Sequence, residues 1–582
     1  MSVDVVQKGR VEERSTTIIN RLRSSLGRVT AIGWALFAVA LAVLMLLPLV
    51  PLEQEALSNI GSTFQEAEQI VGIGATLINT VLLGVGSVIF ALCLGTLLAW
   101  SINRLPPRAR LLLGPLPMAP MIIPPVAFVV GWTFLLSARV GYFNQLLRLL
   151  PWWSSLDSGP LDPYSFPMIV IMTGLILTPF VYMFVLSAIA GISPEFEAAA
   201  LTSGAGEWRA FRSITLPMVR PALIYSAGVV LLLGLGQFTV PLLLGRARHI
   251  NVLTTEIYLL REHYPVNYGL AALLGLPLLI SGALILLAQH KGLGNVRRFV
   301  TLSANTASYV RPKINPWAYL LVGVFGLGII LAPLLALVYV ALSPFWSGQL
   351  ALENMSMQHV TAVFEDQAVR ESILRSIRLS TIAGVITLPI GFVAAQASLR
   401  RLQAPRIIQV IIEFMGLLPL GIPAALLGLG ILFAYTIRPF GLFDSEWVIV
   451  IAYVTIMVPF AMRALASTLV AIGPEFAEAA QIAGAGPLRI FGRITLPLAR
   501  RGIASAISLV IILLFHEFAA TVMVAGPRNQ LMGSVLYKHW IDGSLPRVAV
   551  VALIMVAVTS LGVFAAFAIG SFDSRRRSAA RG

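Results

Sequence analysis

Twelve long apolar runs govern what this 582-residue chain can fold into. They lie at roughly 30–51, 72–101, 115–137, 166–191, 221–244 and 268–290, then at 317–342, 378–398, 408–435, 447–471, 502–525 and 547–570. A helix that crosses the hydrocarbon core of a bilayer needs about 20 mostly apolar residues, and each run is long enough. Barrel strands would instead appear as alternating segments of about ten residues. The composition agrees: 58% of residues are hydrophobic and only 12% charged, against about a quarter charged in soluble domains. The expected fold is an all-α polytopic membrane protein with about 12 transmembrane helices. Cys93 is the chain's one cysteine, which excludes an internal disulfide and a cysteine-based metal site; its apolar setting predicts a small packing residue.

The net charge of +15 raises the possibility of a nucleic-acid partner, and the distribution of that charge argues against it. With the N-terminus placed in the cytoplasm, alternation puts most of the 41 lysines and arginines on the inside. Arg104, Arg108 and Arg110, Arg400, Arg401 and Arg406, and Arg575–Arg577 are among them. The acids Glu53, Glu55, Glu353, Glu365 and Asp366 fall outside. This is the positive-inside pattern of a membrane protein, with twelve spans and both termini cytoplasmic. Residues 1–29 read as a basic cytoplasmic arm, with no cleavable signal peptide expected. The outer loops 138–165 and 343–373 are too long for plain turns. Trp152 and Trp153 suit either an interfacial anchor or a docking surface.

One stretch occurs twice. Residues 194–217 read PEFEAAALTSGAGEWRAFRSITLP and residues 474–497 read PEFAEAAQIAGAGPLRIFGRITLP, identical at fourteen of twenty-four positions without a gap. A small-residue helix beside the membrane is expected in each copy, ended by Gly204 and Gly484 because glycine enters the left-handed conformation freely. Ala199, Ala200, Ala479 and Ala480 leave one face nearly bare for the approach of another protein. The duplication extends further: Asn79-Thr80, Gly95 and Ala99 are echoed by Arg375-Ser376, Gly391 and Ala395. Six crossings separate equivalent points, so the two halves share one orientation, as parallel repeats about an axis along the membrane normal. The organisation is then an arm (1–29), a first half (30–290), a cytoplasmic linker (291–316), a second half (317–570) and a basic tail (571–582).

The pattern Glu-Ala-Ala, Gly, Ile-x-Leu-Pro resembles the cytoplasmic loop of ABC-importer permeases. Glu478-Ala479-Ala480, Gly484, Ile494, Leu496 and Pro497 match it in the second copy. Ala199-Ala200, Gly204, Ile214, Leu216 and Pro217 match in the first, where Ala198 stands in the glutamate register and the acid sits at Glu197. The resemblance implies that each loop is a coupling helix docking on an ATPase, with Glu195 and Glu475 at its start. It further implies an inner-membrane location, two ATPase copies and an extracytoplasmic solute-binding protein. The fused, doubled layout is similar to the iron(III)-type permeases and their thiamine and aminoethylphosphonate relatives. Ferric iron is thus the expected solute, with thiamine, aminoethylphosphonate or a polyamine as alternatives.

No catalytic chemistry is legible. None of the four lysines (Lys8, Lys291, Lys313, Lys538) follows a glycine, which excludes a phosphate-cradling GxxxxGK[ST] loop. ATP and magnesium would belong to a partner, no cofactor is expected in this chain, and no metal-ligand pattern is present. For the pathway, the repeat register aligns Gln237-Phe238 with Glu517-Phe518, and His516 precedes the second pair. Ionisable residues inside a span usually face a cavity or a partner. Glu517 and Gln237 are candidates for its wall and Phe238 and Phe518 for an apolar gate; a buried hydrogen bond joining the halves is the other reading. Two rivals from other classes stand beside the importer: an ion-driven secondary carrier using Glu517 and His516 as a proton relay, and a membrane scaffold.

Overall fold

In lipid every backbone amide must find its partner within the chain, which leaves long apolar runs one solution, the helix. The computed structural model describes residues 31–58, 60–70, 72–262, 266–292, 316–348, 350, 352–402, 404–436 and 439–579. The arm, most of the linker and residues 580–582 lie outside the described residues. Among the described residues, nine helices are continuous and long enough to cross a bilayer: α2 (Ile73–Asn103), α4 (Phe166–Ala190), α5 (Glu207–Leu235), α6 (Tyr268–Ala288), α7 (Pro316–Leu342), α8 (Gln367–Ser398), α10 (Glu446–Ile472), α11 (Phe491–His516) and α12 (Leu545–Phe564). The helix of α12 continues to Ala579. No strand occurs among the described residues.

The other three runs are bent. α1 (Ala31–Leu46 with Val50–Ser58) turns by 47°, α3 (Pro107–Met121 with Pro125–Leu136) by 96° and α9 (Arg406–Gly421 with Ala424–Thr436) by 112°. Proline explains the sharp pair: Pro124-Pro125 and Pro423 cannot donate to the preceding turn and push the residue before them out of the α region. The proline cluster at 117–125 predicts the first of these bends; its counterpart in the second half, Gly421-Ile422-Pro423, carries the same signal.

Each half is built on its second, fourth and fifth helices, α2, α4 and α5 or α8, α10 and α11. Here the repeat becomes geometry. A side-chain carbon placed on Gly95 would lie 2.8 Å from Val181, and one on Gly391 would lie 2.6 Å from Ala461, at matched helix crossings. Ala99 and Ala395 are fully buried beside them. The first helix of each half is exchanged. Pro48 of α1 lays its carbonyl against Gly430 of α9, and Pro333 of α7 lays its carbonyl against Gly131 of α3; an added carbon on these glycines would meet the oxygens at 2.2 and 2.7 Å.

Two expectations are corrected. The fifth run of each half, read as 221–244 and 502–525, stops being a continuous helix at Leu235 and His516, and the remainder folds back as the short turns Pro241–Gly245 and Ala519–Val524. Cys93 is exposed and not packed, since a spanning helix turns apolar side chains outward as readily as inward.

Candidate functional site

Two regions at opposite ends of the fifth helices carry the duplicated residues. At the first end, the small-residue helices form over Pro194–Thr202 and Glu475–Ile482. Both end alike. Gly204 and Gly484 have φ of +84° and +81°, and the amides of Ala205 and Ala485 close back on the carbonyls of Ala200 and Ala480 at 3.0 and 2.9 Å. This glycine-terminated cap satisfies carbonyls that the helix end would otherwise strand. Each copy then makes one π-helical turn, Phe211–Thr215 and Phe491–Thr495, before Leu216-Pro217 and Leu496-Pro497 start the spanning helix. Proline has no amide to give the preceding turn, and such a bulge accommodates it.

The faces of these helices lie open. Glu195, Ala199, Glu475, Glu478 and Ala479 are exposed, while Ala200 and Ala480 are half-buried. Phe196 and Phe476, at matched positions, are 50% and 57% exposed, and Ile482 is 89% exposed. Exposed apolar side chains of this kind, off the long spanning helices, make these faces candidate contact sites.

Anchorage separates the two copies. Arg104, at the end of α2, forms an ion pair with Glu197 and a second with Glu207 at 3.2 Å. Its guanidinium lies 4.6 Å from the Trp100 ring centre, and Trp100 packs on Phe211 and Trp208 at 4.8 and 6.1 Å. Glu197 is therefore engaged within its own half. The register matches Arg104 with Arg400, Trp100 with Gln396, Glu197 with Ala477 and Glu207 with Pro487. Arg400 turns instead to Glu413 of α9 at 2.7 Å. Where the first half has an aromatic plug, the second has a groove of about 930 Å³.

At the other end, Gln237 and Glu517 sit just beyond the last turns of α5 and α11, at the points where the chain folds back. Phe238 and Phe518 are 1% and 3% exposed with ring centres 5.9 Å apart. Tyr258 packs on Phe238 at 5.6 Å, Tyr537 on Phe518 at 6.0 Å, and the two tyrosines lie 6.2 Å from each other. Four rings, two from each half, thus close the seam. Arg246 donates to the Tyr537 hydroxyl and Arg261 to the Ala525 carbonyl, both at 3.0 Å and both across the halves.

The polar candidates have local duties. Glu517 Oε1 accepts the Ala520 amide at 2.9 Å, capping the short helix that follows. Gln237 Oε1 accepts the Phe238 amide at 3.0 Å. His516 places its two ring nitrogens on the carbonyls of Ile512 and Ile122, the latter in the break of α3 of the other half. In the matched position, Gly236 abuts Pro423 in the break of α9. The end of each fifth helix therefore rests in the broken third helix of the opposite half.

The repeat echo noted at Asn79-Thr80 and Arg375-Ser376 has a role that the sequence did not disclose. Thr80 Oγ1 accepts the Leu253 amide at 2.9 Å and Ser376 Oγ the Met532 amide at 3.0 Å. Asn79 donates to the Asn251 carbonyl and Arg375 to the Gln530 carbonyl. Both pairs clasp the returning chain behind the ring cluster. Tyr258 and Tyr537 also escaped the sequence reading, although each recurs about twenty residues after its phenylalanine. So did Arg463, an exposed arginine in α10 that reaches the Tyr225 hydroxyl of α5 at 3.1 Å.

The family pattern described as "Binding-protein-dependent transport system inner membrane component" matches residues 91–291 and again 387–578. Among curated relatives, a provisionally named ferric transport system permease protein of Haemophilus influenzae is 26% identical over 394 residues, covering 67% of this chain and 60% of the relative. A ferric transport system permease protein of Actinobacillus pleuropneumoniae is 24% identical over 458 residues, 78% of this chain and 65% of the relative. The molybdenum transport system permease protein of Escherichia coli (strain K12) is 31% identical over 153 residues, 26% of this chain and 63% of the relative. The chain thus spans under two thirds of the length of each of these relatives. With both pattern matches falling on the two structural repeats, the chain belongs to the family of inner-membrane components of binding-protein-dependent transport systems.

Proposed function

We propose that this chain is the translocation subunit of an ABC importer, in which both halves enclose one solute path and each coupling helix docks one copy of an ATPase. The observation that carries this reading is the pair of exposed, glycine-capped helices held at the same end of both halves, with the four-ring closure at the opposite end. An ATPase pair that closes on ATP would move the two coupling helices together. Because α5 and α11 run from just after those helices to within a few residues of Phe238 and Phe518, that motion would reach the ring cluster along them. α5 and α11 are also the least enclosed of the continuous spanning helices described, each with 22% of its apolar stretch buried, which supports a path between them. Phe196, Phe476 and Ile482 would be the apolar contacts on the ATPase, with Glu478 as its charged one. Hydrolysis takes place on the partner chain.

The orientation that fits is cytoplasmic coupling helices with both termini on the same side. An extracytoplasmic binding protein would deliver the solute to the opposite face. The ferric transport names of two relatives make ferric iron the first solute to test, ahead of molybdenum, thiamine, aminoethylphosphonate and a polyamine. Purification in mild detergent followed by mass spectrometry should recover an ATPase at two copies per chain, and vesicles holding the complex should take up solute only with ATP. Uptake by the chain alone, without ATP, would overturn the reading in favour of a secondary carrier.

A further inference from the structure

The groove beside the second coupling helix is bounded by the last turns of α8 and α10, the start of α11, and Trp34 of α1. Its walls are mainly apolar, among them Leu388, Phe392, Val393 and Ile503. From Leu388 to the end of α8 at Ser398 it follows the helix for roughly 15 Å at the helical rise per residue, from the loop end into the depth of the spanning bundle. Arg401 also borders it. This side chain is half-buried and donates to the Leu469 carbonyl at 2.9 Å, and among the described residues no carboxylate forms an ion pair with it. Arg400, at φ +57°, is engaged by Glu413 and by the Ala397 carbonyl. A half-buried cation set in an apolar cleft calls for an anion, since desolvation without a counter-charge is unfavourable.

The first half shows how the same place is completed from within the chain. Arg104 has two carboxylates from its own coupling loop, and Trp100, Trp208 and Phe211 fill the space. In the second half Ala477 and Pro487 provide no acid and Gln396 no ring. Glu478 also borders the groove, but it sits on the exposed coupling helix and makes no ion pair with either arginine. What is missing is therefore one anionic group and a length of apolar matter, at the level where a spanning helix ends.

We propose that an anionic phospholipid occupies this groove, its phosphate on Arg401 and an acyl chain along Leu388, Phe392 and Val393. Basic pockets between spanning helices on the cytoplasmic side recognise lipid headgroups in this way. The lipid would do for the second coupling helix what Arg104 and Trp100 do for the first, joining its mobile face to the bundle.

The test is native mass spectrometry of the full chain, titrated with phosphatidylglycerol and, separately, phosphatidylcholine. One phosphatidylglycerol should bind in preference to phosphatidylcholine, and Arg401→Gln should reduce that preference about fivefold, the worth of one basic residue at an anionic surface. Val393→Trp, which fills the cleft, should remove the site for both lipids, and it decides the matter if Arg401→Gln does not fold. Unchanged lipid preference in Arg401→Gln, or unchanged binding in Val393→Trp, overturns the proposal. So does a groove that accepts phosphatidylglycerol only after residues 1–29 are deleted, because the arm would then be the occupant. Neither ATP nor solute enters the measurement, so its failure leaves the transport reading untouched.

Discussion

The two duplicated loops share a helix, a glycine cap, a π-helical turn and a proline, yet they are fastened differently. In the first, an arginine at the end of α2 grips Glu197 and Glu207 beneath a cluster of aromatic rings. In the second, the matched arginine holds α9 and the loop stands over an open groove. The opposite end of the molecule does not diverge in this way. There the ring pairs and the clasps by Thr80 and Ser376 repeat almost bond for bond. The ring cluster, which both halves build together, is alike on its two sides, while the anchorage, which differs, is made separately at each loop. A symmetric ring cluster thus stands opposite asymmetric anchorage.

Matched substitutions in the two halves probe this contrast. The largest effect is expected at the rings: Phe238→Ala and Phe518→Ala should each destabilise the protein by about 3–5 kcal/mol, equally in both halves, in thermal unfolding. Unequal losses would show that the closure is not symmetric. Next are the clasps. Thr80→Val and Ser376→Ala strand a buried amide, for about 1–3 kcal/mol each, and the two melting shifts should agree.

Gly204→Val and Gly484→Val force a branched residue into left-handed backbone, at about 1–2 kcal/mol. ATP-driven uptake should fall further for Gly484→Val, since the first loop keeps its ion pairs; equal losses would remove the mechanical meaning of the anchorage. Smallest is Arg104→Gln. With partly exposed partners its ion pairs contribute about 1 kcal/mol, and amide exchange should quicken in residues 194–202 while residues 475–482 stay unchanged. Arg400→Gln should quicken neither.

Sequence patterning carried the helix count and the duplicated loop, because both are written in local chemistry: apolar length for the one, glycine and proline punctuation for the other. Gly204, Gly484 and the proline cluster before α3 behave as their residue types require. The break after α11 was hidden, since residues 503–525 carry neither glycine nor proline, whereas Gly234, Gly236 and Pro241 do mark the break after α5. What ends the helix there is tertiary, the clasp from α2 or α8 and the seat in the opposite broken helix. For the same reason Gln237 and Glu517 were placed on a helix when they stand at its end. The groove became legible only once the register set Gln396 opposite Trp100, a comparison that a single pass along the chain does not make. No local pattern encodes the exchange of α1 and α7.

That exchange has a consequence for how the halves come apart. Pro48 rides on Gly430 and Pro333 on Gly131, so each half wears the other's leading helix like a sleeve. Severing the peptide between residues 293 and 315 would yield two fragments that remain interlocked, and neither would have a complete surface of its own. Any rocking of one half must drag a limb of its twin. The contacts of the two leading helices thus join the halves by packing as well as by the peptide chain.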